Sequence, residues 1–312
     1  MRILITGGFG FIGGRLAVHL AQAGHQIVLG SRKVISPPAW LQHAEVTQIQ
    51  WDDRRALELS CNGVDVVIQA AGMNAQDCAT DPGAALAFNG VATARLVAAA
   101  NRAGVQRFIY LSTAHVYGSP LVGTITEETC PRNLHPYATS HLAGEQAVLS
   151  ASQRGQIQGL VLRLSNAYGA PMHKGVNCWM LLVNDLCMQA LQNRQLVLQT
   201  SGLQQRDFVS LSEVCRLAEY LVDGDGSSFR GVFNVGIGVS QTVLQMAQLI
   251  QQRCAQVLGF EPVLQSAVNG PDEQNQTLSY RADRLAKAGF VSRQECAVEI
   301  DTLLRFCQLT FS

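Results

Sequence analysis

Short apolar runs separated by amphipathic stretches organise the first half of the chain. RILIT, HQIVLG, VTQIQW, DVVIQAAG, RFIYLST and GLVLRLS have the length and composition of buried strands and follow one another in this order. Between them, RLAVHLAQAG ends at a helix-stopping glycine, RRALEL is a weaker helical stretch, and ALAFNGVATARLVAAANRAG and YATSHLAGEQAVLSAS carry longer helical patterns. Strand, crossover and strand repeating with short connections predict an α/β fold with a right-handed, doubly wound parallel sheet. After Ser165 the alternation stops, and proline, glycine and glutamine become frequent between shorter elements. The expected division is a first domain over 1–165, to which later segments return, and a smaller C-terminal domain over 166–312.

Composition narrows the function classes. A chain of 312 residues can bury a sizeable core, and 23 Lys+Arg balance 23 Asp+Glu. That balance gives no global attraction to nucleic acid or anionic membrane, so any anion site must be local. The nine cysteines form no CxxC pair and no Cys/His cluster of metal spacing, which leaves no metal site and fits a reduced, cytoplasmic setting. No leader and no bilayer span is expected from the sequence.

TGGFGFIG follows the first strand and opens the first helix, with Gly7, Gly10 and Gly13 spaced as a pyrophosphate seat. Glycines let the backbone turn tightly and approach a ligand, and the helix N-terminus at Phe11 and Ile12 offers free N–H groups. Tight turns also use glycine for conformational reasons alone, but the position at the first strand-helix junction points to a dinucleotide. Residues 1–165 are therefore read as the dinucleotide-binding domain and 166–312 as mainly substrate-binding. The second strand ends in LGSRK, without the carboxylate that holds the ribose 2′-hydroxyl of NAD. Ser31, Arg32 and Lys33 suit a 2′-phosphate, so NADP is expected over NAD; the alternative is an exposed basic turn. Asp52 and Asp53 after the third strand are placed either at the adenine amino group or at a helix cap.

TGGFGFIG, DVVIQAAG, Asn89, STAHVYG, Tyr137 with LAGE behind it, LRLSNAYGAP, GLQQRDFV and FNVG, in this order, resemble the extended short-chain dehydrogenase/reductase family, in particular its nucleotide-sugar epimerases, dehydratases and reductases. The resemblance covers 1 to about 240, with a looser echo in YRADRLAKAGF. It implies a Rossmann-type cofactor domain with Ala70 and Ala71 at the cofactor, a smaller C-terminal domain holding a sugar nucleotide, and a homodimer. It also implies that Thr113 hydrogen-bonds the reacting oxygen, that Tyr137 shuttles the proton, and that both Tyr137 and the residue four positions later contact the cofactor. Asn166 and Arg206 correspond to residues that meet the substrate diphosphate, and Asn89 to a helix asparagine near the active site. For Arg206 a surface ion pair, and for Asn89 a plain helix-surface position, are the competing readings.

Two departures carry chemical content. His141 stands where the family has lysine; a histidine near its ordinary pKa of about 6.5 is partly charged at pH 7 and favours a tyrosinate less than lysine does. The alternative makes His141 an ordinary helix residue of a protein that binds dinucleotide without turnover. Ala114 and His115 occupy positions that are acidic in the family's 4,6-dehydratases, which argues against dehydration by that mechanism. His115 is read either as facing the substrate and moving a proton or as a buried, hydrogen-bonded histidine. The first reading is thus an NADP(H)-dependent reductase or epimerase of a nucleotide-linked sugar. The others are a cofactor-binding sensor or scaffold without turnover, and a reductase of a small carbonyl compound.

Overall fold

Seven strands pair in parallel in the order β7-β6-β5-β4-β1-β2-β3, where β1 is Arg2–Thr6, β2 Gln26–Ser31, β3 Glu45–Gln48, β4 Val66–Gln69, β5 Arg107–Thr113, β6 Gln158–Leu164 and β7 Gly231–Val235. This computed structural model describes residues 1–224, 229–267, 276–293 and 295–311. The first six strands are the apolar runs read from the sequence. The seventh comes from beyond 165 and lies beside β6 with Val232 opposite Val161. The sequence reading took FNVG only as a motif, because a five-residue edge strand has too little periodicity to stand out.

Alternation along the strands sends side chains to two helical layers. Ile3 and Ile5 pack with Leu16 and Leu20 of the glycine-loop helix (Phe11–Gln22) and with Leu217 and Leu221 of Leu211–Asp223. Leu4, Phe108 and Tyr110 face Leu96 and Val97 of Thr93–Arg102 and Val148 of Pro136–Gln153. The helical run Pro82–Arg102 corrects one expectation, since it is long and apolar enough to cross a membrane by length and composition. In the fold half of it is buried, and Arg95 and Arg102 on it pair with Asp52 and Glu58.

The remaining chain forms a second cluster around the sheet of Asn166–Tyr168, Gln205–Ser210 and Ser240–Thr242. Helices Leu182–Asn193, Val243–Leu258 and Cys296–Phe311 cover it, with Leu186, Ile250 and Leu303 fully buried. One ion pair fastens this cluster to the glycine-loop helix. Arg15 Nη1 donates to Glu299 Oε1 at 2.7 Å and to the Ala170 carbonyl at 2.9 Å, and the Ser212 amide donates to Glu299 Oε2 at 3.1 Å.

Candidate active site

The strand order reverses between β1 and β4, and the chain leaves both strands on the side where parallel sheets open a ligand crevice. There Gly7 takes φ +67°, and a Cβ on Gly13 would stand 2.2 Å from the Gly7 carbonyl oxygen, so the helix packs directly on the turn. Ala70 and Ala71, leaving β4, close against Gly7: a Cβ on that glycine would meet the Ala71 nitrogen at 2.8 Å. The helix starts at Phe11 with no side-chain cap from Gly10 and no acidic residue in its first turn. The N–H groups around Phe11 and Ile12 therefore keep their positive end for an anion, as a pyrophosphate requires.

At the end of β2, Ser31 Oγ accepts from the Lys33 amide at 3.1 Å, and Arg32 and Lys33 are exposed. Among the described residues neither cation has an ion-pair partner. Asp52 and Asp53 do not join them. Asp53 caps Arg54–Ser60 by accepting from the Ala56 amide at 3.0 Å, and exposed Asp52 pairs with Arg95. Asp53 thus occupies the helix cap that the sequence offered as its alternative, and Asp52 sits in a surface ion pair.

Thr113 ends β5, and Pro136–Gln153 lays Tyr137 over it, the Thr113 hydroxyl bonding the phenol. Burial raises the phenol's pKa; the threonine lowers it, and burial wins. One turn on, His141 packs edge-on to Tyr137 with ring centroids 4.6 Å apart. Burial pushes its imidazole down to about 4, which corrects the expected partial charge at pH 7. His141 is therefore neutral and contributes no charge toward a tyrosinate. Asn89 is also corrected. It is buried within the π-helical turn Leu86–Ala92, accepting from the Met73 amide at 2.9 Å and donating to Ser140 Oγ at 3.0 Å. Its side chain fastens the Pro136–Gln153 helix to the loop after β4 and is buried, not on the helix surface. Tyr110, missed in the sequence, bonds His141 Nδ1 at 2.9 Å. A tyrosine inside a wholly buried strand signals a hydroxyl that needs a partner, and that was the available clue.

His115 lies half-buried next to Thr113, its backbone amide donating to Thr113 Oγ1 at 3.1 Å. Burial lowers its pKa first, and the positive charge of Arg206 lowers it further, so both favour the neutral imidazole. Arg206, on Gln205–Ser210, is half-buried and desolvated, with no hydrogen-bond or ion-pair partner among the described residues. The surface ion pair considered for it is absent there, and adjacent Asp207 instead accepts from the amides of Ile237 and Gly238 at 3.2 and 2.9 Å. Asn166 pairs across from Phe208 and donates Nδ2 to the Asp207 carbonyl at 2.8 Å, which sets it beside Arg206 with Oδ1 left over. His173 Nε2 donates to the Phe9 carbonyl at 3.1 Å, tying the loop after Asn166–Tyr168 to the glycine turn.

The buried imidazole has a measurable consequence in acid. The unfolded histidine takes a proton near pH 6.5 and the folded one only near 4, so His141 destabilises the fold as pH falls through that window. Asp207, pushed up to about 6 by burial, acts in the opposite sense because its native carboxyl binds the proton first. That gain is common to the parent and a His141→Gln variant and cancels between them. Urea titrations of the two proteins should show the stability gap moving in the variant's favour by on the order of 3 kcal/mol between pH 6.5 and 4. A gap independent of pH would place the imidazole in an ordinary, hydrated environment.

Comparison with known proteins gives the family and the fold. The family model described as NAD dependent epimerase/dehydratase family matches residues 3–236. A dTDP-6-deoxy-L-talose 4-dehydrogenase (NAD(P)(+)) of Kitasatospora kifunensis is 30% identical over 292 residues, covering 91% of this chain and 88% of its own. A dTDP-D-glucose 4,6-dehydratase of Mus musculus is 29% identical over 266 residues, 80% of this chain and 72% of its own. Among solved structures, the Thermus thermophilus UDP-glucose 4-epimerase in complex with NAD superposes with a TM-score of 0.80 over 99% of both chains at 20% identity, a likeness of fold.

Proposed function

Because the chain belongs to the NAD-dependent epimerase/dehydratase family, whose members are enzymes, we propose that it is an NADP(H)-dependent enzyme acting at carbon 4 of a nucleotide-linked sugar. The observation that carries the reading is the hydrogen-bonded pair Thr113 and Tyr137 at the mouth of the glycine-loop crevice, with Ala114 and His115 where an elimination would use carboxylates. The bound nicotinamide supplies or takes the hydride. The glycine turn with Phe11 and Ile12 would hold its pyrophosphate, and Ser31, Arg32 and Lys33 a 2′-phosphate. Thr113 orients the sugar oxygen and Tyr137 carries its proton. A phenol held above its ordinary pKa, beside a neutral histidine, is a proton donor at neutral pH. That state suits reduction of a 4-keto group better than the oxidation with which an epimerisation begins. Arg206 and Asn166 supply the diphosphate end, and neutral His115 faces the sugar between the two. The name of the Kitasatospora relative, a 4-dehydrogenase of NAD(P)(+), supports chemistry at this carbon. Incubating the protein with NADPH and a set of 4-keto nucleotide sugars, with products followed by NMR, tests the reading; no reduced sugar from any of them sinks it.

Cofactor choice is tested separately. NADPH should bind more tightly than NADH, and Arg32→Ala with Lys33→Ala should remove most of the difference, about 1–2 kcal/mol for two solvent-facing phosphate contacts. Tighter NADH binding by the parent in a fluorescence titration defeats the preference. The chain is also expected to form a homodimer through the stretch 85–104 together with the Tyr137 helix, where Leu86 and Val91 are 51% and 45% exposed beside exposed Ala87 and Ala94. Light scattering that returns a monomer across micromolar concentrations would remove that expectation.

A further inference from the structure

We infer that Tyr110 is a positioning residue that fixes neutral His141 in its Nε2–H tautomer, so that the ring presents a single uncharged donor to the crevice beside Gly72. The phenolic hydrogen of Tyr110 has two acceptors in reach, His141 Nδ1 at 2.9 Å and the Asn89 carbonyl at 3.4 Å. The nearer one takes it, since hydrogen bonds weaken beyond about 3.2 Å. With Nδ1 accepting, the one hydrogen of a neutral ring must sit on Nε2.

The surroundings hold this arrangement in place. Tyr110 is 1% exposed and His141 6%, so neither hydroxyl nor Nδ1 has water as an alternative partner. Gly144, one turn after His141, makes room for the hydroxyl: a Cβ there would lie 2.6 Å from Tyr110 Oη and 2.5 Å from the Asn89 oxygen. The other ring nitrogen faces outward. A Cβ on Gly72, which follows Ala71 at the glycine turn, would lie 3.6 Å from His141 Cε1 and 3.8 Å from Nε2. Nε2 has no partner among the described residues. Tyr137 covers the ring edge-on, so the orientation set by Tyr110 is passed to the catalytic phenol. Burial keeps the imidazole neutral above about pH 5, so the tautomer holds across the physiological range. The inference that Nε2–H donates to the nicotinamide end of the cofactor, in place of a lysine, rests on the cofactor reading above; the tautomer itself does not.

The test is nitrogen NMR of the cofactor-free protein labelled at histidine, at pH 7, with the His141 signals assigned by their loss in His141→Gln. The expected spectrum has Nδ1 as a bare acceptor and Nε2 carrying the proton. A proton on Nδ1, or an averaged pair, overturns the proposal, and the parent spectrum alone decides this even if variants fold poorly. In Tyr110→Phe the two tautomers should mix, and the NADPH dissociation constant should rise by about fivefold, the worth of one hydrogen bond held ready. Gly144→Ala, which crowds the hydroxyl without touching the imidazole, should shift the tautomer signals in the same direction. Unchanged His141 signals and affinity in a folded Tyr110→Phe protein would equally overturn the role. None of these readouts needs turnover, so a failure of the 4-keto reading leaves them standing.

Discussion

Replacing Tyr137 with phenylalanine is expected to slow reduction of a 4-keto nucleotide sugar by roughly 10²–10⁴-fold while changing the NADPH dissociation constant by no more than about threefold. In the proposed reaction the phenol is the acid that meets the developing alkoxide, with Thr113 and His141 beside it. Phenylalanine keeps the edge-on contact with the imidazole and the half-buried ring, so the helix has no reason to move. It removes only the proton. On the proposed reading cofactor affinity rests on the glycine turn and the basic residues after β2, which the change does not reach. Stopped-flow absorbance at the reduced nicotinamide band measures the step directly. Should the variant turn over as fast as the parent, the proton comes from elsewhere, and His115, the other titratable group adjoining Thr113, becomes the leading source.

Arg206→Ala should weaken binding of a nucleotide sugar by about 10- to 100-fold, the range for one charge-assisted contact to a diphosphate. Arg206→Lys should recover only part, because an ammonium cannot meet two oxygens with a planar fork. The effect on the free protein has the opposite sign. Arg206 is desolvated and lacks an anionic partner among the described residues, so alanine should leave the melting temperature unchanged or raise it. Arg163 is the contrast: it is buried against Glu145, with Nη2 2.5 Å from Oε2. Truncating it should lower stability by about 3–5 kcal/mol through the stranded carboxylate. Calorimetry on both variants separates an arginine kept for a ligand from one kept for the fold. A melting temperature that falls as steeply for Arg206→Ala as for Arg163→Ala contradicts the binding role.

The parts of the site that could be read in the sequence are those whose geometry follows from neighbours in the chain. A glycine turn between a strand and a helix, a threonine at a strand end and a tyrosine one helical turn before another residue all have local rules. Six of the seven strands of the main sheet were legible because strands buried on both faces are continuous apolar runs. What escaped depends on partners far along the chain. Asp52 looked free until Arg95, 43 residues on, reached it, and Asn89 looked exposed until Ser140, 51 residues on, closed over it. The charge of His141 was misjudged for the same reason. Its pKa is set by the walls that bury it, none of which a spacing of four residues contains.

The carboxylate of Glu299 gives this protein a late step in its own manufacture. A chain leaves the ribosome from its first residue onward, and Arg15 is made 284 positions before the glutamate that satisfies it. During that interval the first six strands and their helices can pair, but the guanidinium, the Ser212 amide and the Ala170 amide still await their shared acceptor. The helix Cys296–Phe311 therefore acts as a latch that closes under the glycine-loop helix only once residue 299 has been made. Ribosome-bound chains arrested before residue 299 should carry a recognisable cofactor half whose underside is unfinished and open to chaperones.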